Sequence, residues 1–313
     1  MNTVPHKICA FALIMASLIF VTSCQKQSLK KILYRDKWGW KQELYENSDG
    51  CLYGFSEDKN ELYLWSMAGY NGSTYVVPDE IDGVKVTVFL EDAVINCNNI
   101  ETLIITDNVR CIDFDLYYEF SSLKTIFIGA GAQRIMKGIF FNCPNLEQVT
   151  VDIQNPYYYS ENNCILTKDS NCLISISNGM QSIPDSAIII GGDSFLRSNY
   201  KYIEIPKSIL KIEELSFQQS KDLTAVFIPN SVTEIGPRII TGVIDNTDDR
   251  FDFFCESTEK PDGWDNNWYY AFSKGYNDEH DDNYYKELND ECVTIHWGAT
   301  IEDYYDFINS TES

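Results

Sequence analysis

Few residues of this chain have the types and spacing that enzymatic chemistry requires. Beyond residue 24 only His280 and His296 could serve as histidine bases, and neither lies in a known catalytic spacing. The chain has no H-E-x-x-H, G-x-S-x-G or P-loop motif. The segment Gly129-Ala130-Gly131 lacks the third glycine of a dinucleotide-binding loop. The sequence therefore predicts no enzyme, no catalytic residues and no cofactor.

An acidic segment at 277–283 contains oxygen ligands of the kind that calcium prefers. Its candidate ligands are Asp278, Asp281 and Asp282. The segment lacks the glycine and the terminal glutamate of an EF-hand loop. A solvated acidic loop is the simpler interpretation, and calcium binding stays open beside it.

Eight cysteines follow Cys24, and none of them forms a C-x-x-C pair. An exported chain meets conditions in which disulfides can form, but these spacings define no disulfide framework. Cys97 and Cys143 are separated by twice the repeat length described below, which places them at equivalent positions. We therefore expect small buried thiols that pack in a core rather than metal or redox chemistry.

The N-terminal segment predicts export. Lys7 precedes an apolar run from Ile8 to Val21, which is too short to span about 30 Å of hydrocarbon as a stable helix. The following Val21-Thr22-Ser23-Cys24 resembles a bacterial lipobox, whose cysteine is diacylated and becomes the new N-terminus. This resemblance implies a signal peptide over 1–23, lipidation of Cys24 and an envelope location. Gln25, in place of an aspartate, favours the outer membrane or the cell surface.

The charge of the chain excludes one class of partner. Its formal net charge is −23, so the chain as a whole repels nucleic-acid phosphates and anionic lipid headgroups. Tyr, Phe, Ile and Asn are prominent where a helical protein would favour Ala, Leu and Lys. The composition therefore predicts β structure, and the net charge predicts no binding to nucleic acid.

A repeat of 23 residues organises most of the chain. Each repeat contains an apolar triad in a Leu-x-x-Leu-x-Leu pattern, and the triads are Ile100, Leu103, Ile105; Leu123, Ile126, Ile128; Leu146, Val149, Val151; Tyr200, Ile203, Ile205; and Leu223, Val226, Ile228. A second apolar pair follows five residues apart, at Ile112 and Tyr117, Ile135 and Phe140, Ile212 and Phe217, and Ile235 and Ile240. The pattern predicts a short strand, a turn and a second extended or helical piece in every repeat.

Such a repeat cannot bury its apolar face alone. Stacking the repeats gives a continuous core, and atypical elements must cover its two ends. Pro206 and Pro229 stand 23 residues apart where the strands end, as expected for residues that donate no backbone N–H. The sequence thus predicts a mainly β solenoid.

The repeats closely resemble those of the BspA-type leucine-rich-repeat family. The family pattern is best kept in Ile228-Pro229-Asn230-Ser231-Val232-Thr233-Glu234-Ile235-Gly236, and it is partly kept around Ile205-Pro206 and Cys143-Pro144. The resemblance implies a leucine-rich-repeat solenoid with an N-terminal β-hairpin cap and a C-terminal Trp-rich cap. It implies these boundaries: 24–49, tether and start of the N-terminal cap; 50–75, β-hairpin cap; 76–250, repeats with a hairpin insertion near 153–182; 251–298, C-terminal cap; 299–313, C-terminal tail.

Side chains between the inward Leu and Ile positions must point away from the core. Moving along the repeat gives a row of outward residues, with Tyr202 in a neighbouring row: Ile104, Phe127, Thr150, Tyr202, Glu204 and Phe227. Exposed aromatic side chains dominate many interfaces, so this row is a candidate binding face. Loops or the insertion could equally cover it.

Three functions follow from these observations. The family resemblance implies a non-enzymatic surface lipoprotein that binds a protein on a host or neighbouring cell, as in adhesion. Alternatively, aromatic residues at Trp264, Trp268, Tyr269 and Tyr270 could stack on a carbohydrate, although packing in a cap explains the tryptophans more simply. The third possibility is a structural envelope protein without a ligand.

Overall fold

The structure is a computed structural model that describes residues 28–35, 41–113, 120–244, 248–272 and 282–311. It is mostly β, with 33% strand and 8% helix. The described helices are too short or too polar to cross a membrane. The chain divides into two compact units. Unit 1 takes its residues from Met1–Ile135 and Asp152–Asn155, and unit 2 from Met136–Val151 and Pro156–Ser313.

Unit 1 contains two sheets and a short 3₁₀ helix at Glu91–Val94. Its strands are β1 (Lys30–Arg35), β2 (Lys41–Glu46), β3 (Leu52–Phe55), β4 (Glu61–Ser66), β5 (Thr74–Val76), β6 (Glu80–Ile81), β7 (Val84–Phe89), β8 (Thr102–Ile105), β9 (Cys111–Ile112), β10 (Thr125–Ile128) and β11 (Arg134–Ile135). The first sheet has the order β1-β2-β3-β4-β7-β9-β11, with β6 beside β7. Its first four strands run antiparallel, as in a meander. In the second sheet β5, β8 and β10 pair in parallel.

The strand register of unit 1 follows the repeat length. Ile126 pairs with Leu103 and Ile135 pairs with Ile112, so residues 23 positions apart lie side by side. All four side chains are buried. Each repeat therefore contributes one strand to each sheet, and the apolar triads and pairs fill the space between the sheets. The predicted solenoid is confirmed, although Tyr117 lies outside the described residues.

The turn at Gly129-Ala130-Gly131 is held by its neighbours in the stack. A Cβ atom on Gly131 would lie 1.6 Å from the carbonyl oxygen of Asp107, so only glycine fits. The backbone N–H of Ala130 donates to Asp107 Oδ1 at 2.7 Å. The amide nitrogen of buried Asn155 donates to the carbonyl oxygens of Gly129 and Ala132, at 3.1 and 2.9 Å. These glycines therefore serve close packing of stacked turns.

Unit 2 contains two further sheets and two helices. Its elements are β12 (Gln148–Val151), β13 (Tyr158–Glu161), β14 (Cys164–Thr167), β15 (Cys172–Ile176), β16 (Ile189–Ile190), β17 (Tyr202–Glu204), β18 (Lys211–Ile212), β19 (Ala225–Ile228), β20 (Glu234–Ile235), β21 (Phe251–Cys255), α1 (Asp282–Cys292), β22 (Val293–Trp297) and α2 (Ile301–Thr311). One sheet has the order β13-β14-β15-β16-β18-β20, and the other has the order β17-β19-β21-β22. The 23-residue register continues, because Val226 pairs with Ile203 and Ile235 pairs with Ile212.

The insertion near 153–182 contains the antiparallel pair β13–β14 followed by β15. Its polar side chains bind the backbone of β12. Ser160 Oγ accepts the N–H of Val151 at 3.0 Å, and Asn163 Oδ1 accepts the N–H of Val149 at 3.3 Å. In a regular repeat these backbone N–H groups would donate to a neighbouring strand. Here side chains of the insertion accept them instead.

The segment expected to be a C-terminal tail contains the helix α2. A reciprocal cap begins the helix: the N–H and hydroxyl of Thr300 donate to Asp303 Oδ2, both at 2.8 Å, and Asp303 N–H donates back to Thr300 Oγ1 at 3.2 Å. Its apolar residues recur at helical spacing, at Ile301, Tyr304, Phe307 and Ile308. These residues pack on one hydrophobic cluster of the core, and this packing stabilises the helix.

Candidate binding face

In unit 1 the predicted row contains Ile104 on β8 and Phe127 on β10, and the structure continues it onto β5. Ile104 pairs with Val76 on one side and with Phe127 on the other. Ile104 is fully buried, whereas Val76 and Phe127 are partly buried. Of the two predicted residues in this row, Phe127 is the one that a partner could reach.

In unit 2 the predicted row contains Glu204 on β17 and Phe227 on β19, and the structure continues it across β21 and β22. Glu204, Phe227, Phe254 and His296 are successive neighbours in register. Phe227 and Phe254 are 3% and 4% exposed, whereas Glu204 is exposed. The His296 ring stacks on Phe254, with ring centroids 4.4 Å apart, and its Nε2 lies 2.7 Å from Asp252 Oδ1. This face of the sheet is an aromatic surface with polar residues at both ends.

Helix α2 covers this aromatic surface. The Tyr304 ring lies 5.8 Å from Phe227 and 5.5 Å from Phe254, and the Phe307 ring lies 5.2 Å from Phe254. Tyr304 is 1% exposed, and burial raises the pKa of its hydroxyl. The predicted binding surface in unit 2 is thus occupied by the chain's own last helix.

Polar contacts fix the helix at the margin of the surface. The Tyr202 hydroxyl lies 2.7 Å from Thr311 Oγ1, and the Tyr305 hydroxyl donates to Glu204 Oε2. Of the predicted residues in this unit, Thr150 and Tyr202 are partly buried and only Glu204 is exposed. The apolar spacing of α2 and its Thr300–Asp303 cap were the sequence signals for this cover.

The tryptophans of the C-terminal cap close the core. Trp264 and Trp268 are 3% and 1% exposed, and the Trp264 indole N–H donates to the Val232 carbonyl oxygen at 3.0 Å. The Trp268 ring packs on Phe253 with a centroid separation of 4.5 Å. A sugar ring needs a free aromatic face, so the two tryptophans do not form the carbohydrate platform considered from the sequence.

Of the eight described cysteines, all but Cys111 are buried. Burial raises the pKa of Cys97 and that of Cys143 to about 12, which keeps both thiols protonated at neutral pH. Within the described ranges, no three His, Cys, Asp or Glu residues are grouped to hold a metal ion.

Two predictions fall where the structure gives no account of the side chains. The lipidation candidate Cys24 and the calcium candidates Asp278 and Asp281 lie outside the described residues. Asp282 is the first residue of α1, and its side chain is not described. Lipidation and calcium binding therefore stay predictions.

The chain is similar to three solved leucine-rich-repeat proteins. A leucine-rich repeat protein from Eubacterium ventriosum is 17% identical, with 66% of this chain and 72% of that chain covered and a TM-score of 0.39. The T. pallidum leucine rich repeat protein is 16% identical, with coverages of 62% and 87% and a TM-score of 0.33. A leucine rich cell surface protein from Faecalibacterium prausnitzii is 14% identical, with coverages of 69% and 94% and a TM-score of 0.25. No curated protein matches the chain.

A family model settles the classification. The model of the BspA type leucine rich repeat region matches in six copies over residues 83–167 and 169–245. These ranges contain more than half of the chain and both regions in which the 23-residue register was observed. The chain therefore belongs to the BspA-type leucine-rich-repeat family.

Proposed function

We propose that this chain is an exported lipoprotein of the cell envelope that binds a protein partner through its repeats and catalyses no reaction. Membership of the BspA-type family supports the binding role, because this is a family of surface proteins that generally act as binding scaffolds. The lipobox-like Val21-Thr22-Ser23-Cys24 supports acylation and an outer-membrane or cell-surface location. Adhesion to a host or neighbouring cell is the role that fits both features.

The observation that carries the binding proposal is the position of Phe127. This residue lies on the strand row of unit 1 and is partly exposed. In unit 2 the corresponding row is occupied by helix α2, so Phe227 is not offered to a partner. We therefore narrow the proposed face to the row around Phe127.

The location is tested by adding protease to intact cells and following loss of the protein. Protection of the protein would contradict surface exposure and with it the adhesive role. Acylation is tested by mass spectrometry of the N-terminal peptide, which should begin at Cys24 and carry lipid. An unmodified Cys24 would refute the anchor.

Binding is tested by cross-linking the protein to extracts of host and neighbouring cells and identifying the captured proteins. Phe127→Ala should weaken capture of a specific partner about tenfold or more, as aromatic residues of an interface commonly do. Leu210→Ala is the matched control, because Leu210 is an apolar residue with 48% exposure that lies outside the strand row. Equal capture by the wild type and a folded Phe127→Ala variant would remove this face from the proposal.

A further inference from the structure

A polar cleft of about 270 Å³ lies in unit 1, beside the turn in which the repeat departs from the family pattern. It opens between two columns of residues that are 23 positions apart in successive repeats. One column contains Lys85, Asn108 and Gly131, and the other contains Thr87, Arg110 and Gln133. Backbone hydrogen bonds hold the second column together, because Arg110 N–H donates to the Thr87 carbonyl oxygen and Gln133 N–H donates to that of Arg110, both at 2.8 Å.

The cleft is present because the first column ends in a residue without a side chain. Gly131 stands at the position that Ser208 and Ser231 occupy in the repeats of unit 2. A Cβ atom on Gly131 would lie 1.6 Å from the carbonyl oxygen of Asp107, so the close contact of the two turns requires glycine here. The missing side chain leaves a hollow next to Asn108. The cleft is therefore a property of this copy of the repeat and not of the repeat pattern.

Neighbouring groups hold the two acidic side chains of the cleft in place. The Thr87 hydroxyl is buried and donates to Glu61 Oε2 at 3.0 Å, and the Arg110 guanidinium pairs with Glu61 Oε1. Asp107 Oδ1 accepts the N–H of Ala130 at 2.7 Å. These side chains are ordered by the protein itself, so less conformational entropy is lost when a ligand binds.

Other hydrogen-bonding atoms of the cleft are available to a ligand. Among the described residues, Lys85 Nζ has no acceptor, and Arg110 uses only Nη2. Asn108 donates its amide N–H to the Asp79 carbonyl oxygen at 3.2 Å, which leaves Asn108 Oδ1 as an acceptor. Asp107 Oδ2 is a second acceptor. The cleft thus presents donors and acceptors side by side.

The balance of charge indicates the class of ligand. Lys85 and Arg110 are positive, and Glu61 and Asp107 are negative, so a charged ligand gains little net attraction. A hydroxyl group both donates and accepts hydrogen bonds, which suits a lining of this kind. The aliphatic stems of Lys85 and Arg110 offer apolar surface to the C–H groups of a sugar. Drug-sized ligands occupy sites of about 300 to 1,000 Å³, so a cleft of this volume suits a single sugar ring.

We propose that this cleft binds one uncharged sugar residue of a glycan. Lys85 and Arg110 donate to its hydroxyl oxygens, and Asp107 and Asn108 accept its hydroxyl protons. The site is separate from the row proposed to bind a protein, because Phe127 lies on β10 in the other sheet of unit 1. It adds recognition of a glycan to the proposed capture of a protein, and it does not depend on that proposal.

The test begins with an array of neutral, acidic and basic glycans, and saturation-transfer NMR then measures the affinity for the terminal monosaccharide of the glycan that binds. We expect a neutral glycan to bind, with a dissociation constant of about 1 mM for its monosaccharide, as is usual for so small a ligand. Lys85→Met keeps the aliphatic stem and removes the ammonium donors. It should weaken binding about tenfold.

Lys124→Met is the matched control, because Lys124 is an exposed lysine of unit 1 that pairs with Glu101 outside the cleft. This variant and Phe127→Ala should both bind the sugar as the wild type does. Three results would each overturn the proposal: no binding to any neutral glycan, stronger binding of an acidic glycan than of its neutral counterpart, or a loss in Lys85→Met no larger than that in Lys124→Met.

Discussion

Helix α2 should be held to its sheet chiefly by Tyr304. An isolated helix of 11 residues is marginal in water, so the free energy that orders α2 must come from its packing. Tyr304 is almost completely buried and contacts both Phe227 and Phe254. Truncating a buried aromatic side chain to alanine typically costs about 3 to 5 kcal/mol. Tyr304→Ala should therefore remove most of the free energy that docks the helix.

Hydrogen exchange of the backbone amides of residues 304–311 measures this effect. A loss of about 3 kcal/mol corresponds to exchange about two orders of magnitude faster in these amides. The amides of β19 should stay protected, because its other face keeps the repeat core of Val226 and Ile228. Release of α2 would also expose Phe227 and Phe254, and binding of a hydrophobic dye should rise.

Tyr305→Ala is the matched control on the same helix. Tyr305 is 47% exposed and donates one hydrogen bond to Glu204, so its loss should cost about 1 kcal/mol or less. Unchanged protection of α2 in Tyr304→Ala, or an equal loss in Tyr305→Ala, would refute the assignment of docking to the buried ring.

Three further predictions concern the cap, the stacked turn and the thiols. Hydrogen bonds from Thr300 lower the pKa of Asp303 in the folded chain. The protection of α2 from hydrogen exchange should therefore be full above the pKa of an unfolded aspartate, and it should fall as the pH drops through the lowered pKa of Asp303. Asp303→Asn should remove this pH dependence. Asn155→Ala should lower the free energy of unfolding of unit 1, measured by urea denaturation, by about 2 to 4 kcal/mol, because two carbonyl oxygens lose their buried donor. Gln154→Ala, at the exposed neighbouring residue, should change this free energy little. Cys111 should react with a thiol reagent before the other described cysteines under native conditions, and prior labelling of Cys143 would contradict its burial.

Much of the fold could be predicted from the sequence because the repeat is local and regular. Leu103 and Ile126 are separated by one period, and they are neighbours in register with their side chains buried. Each repeat packs on the next one, so a fixed sequence offset becomes a fixed spatial offset. The burial of Trp264 and Trp268 likewise follows from the need to cover the end of an apolar stack.

The candidate site could be predicted only in part. Strand alternation placed Phe127 and Phe227 on the outward row, but it treats the two positions alike. Their difference depends on α2, which follows Phe227 by more than 70 residues in the chain and packs on it through Tyr304. The helical spacing of Ile301, Tyr304 and Ile308 was visible in the sequence. An amphipathic pattern predicts a helix, but it does not predict which surface the helix will pack on.

The sequence by itself determined the repeat length, the inward and outward positions of each strand, and the family. These properties follow from side-chain chemistry at fixed local spacing. Tertiary structure alone decided which outward residues meet water. It buried Phe227 beneath Tyr304 and left Phe127 partly exposed. Exposure depends on which distant segments pack together. Burial of apolar area between two complementary surfaces is favourable whatever their separation in the chain.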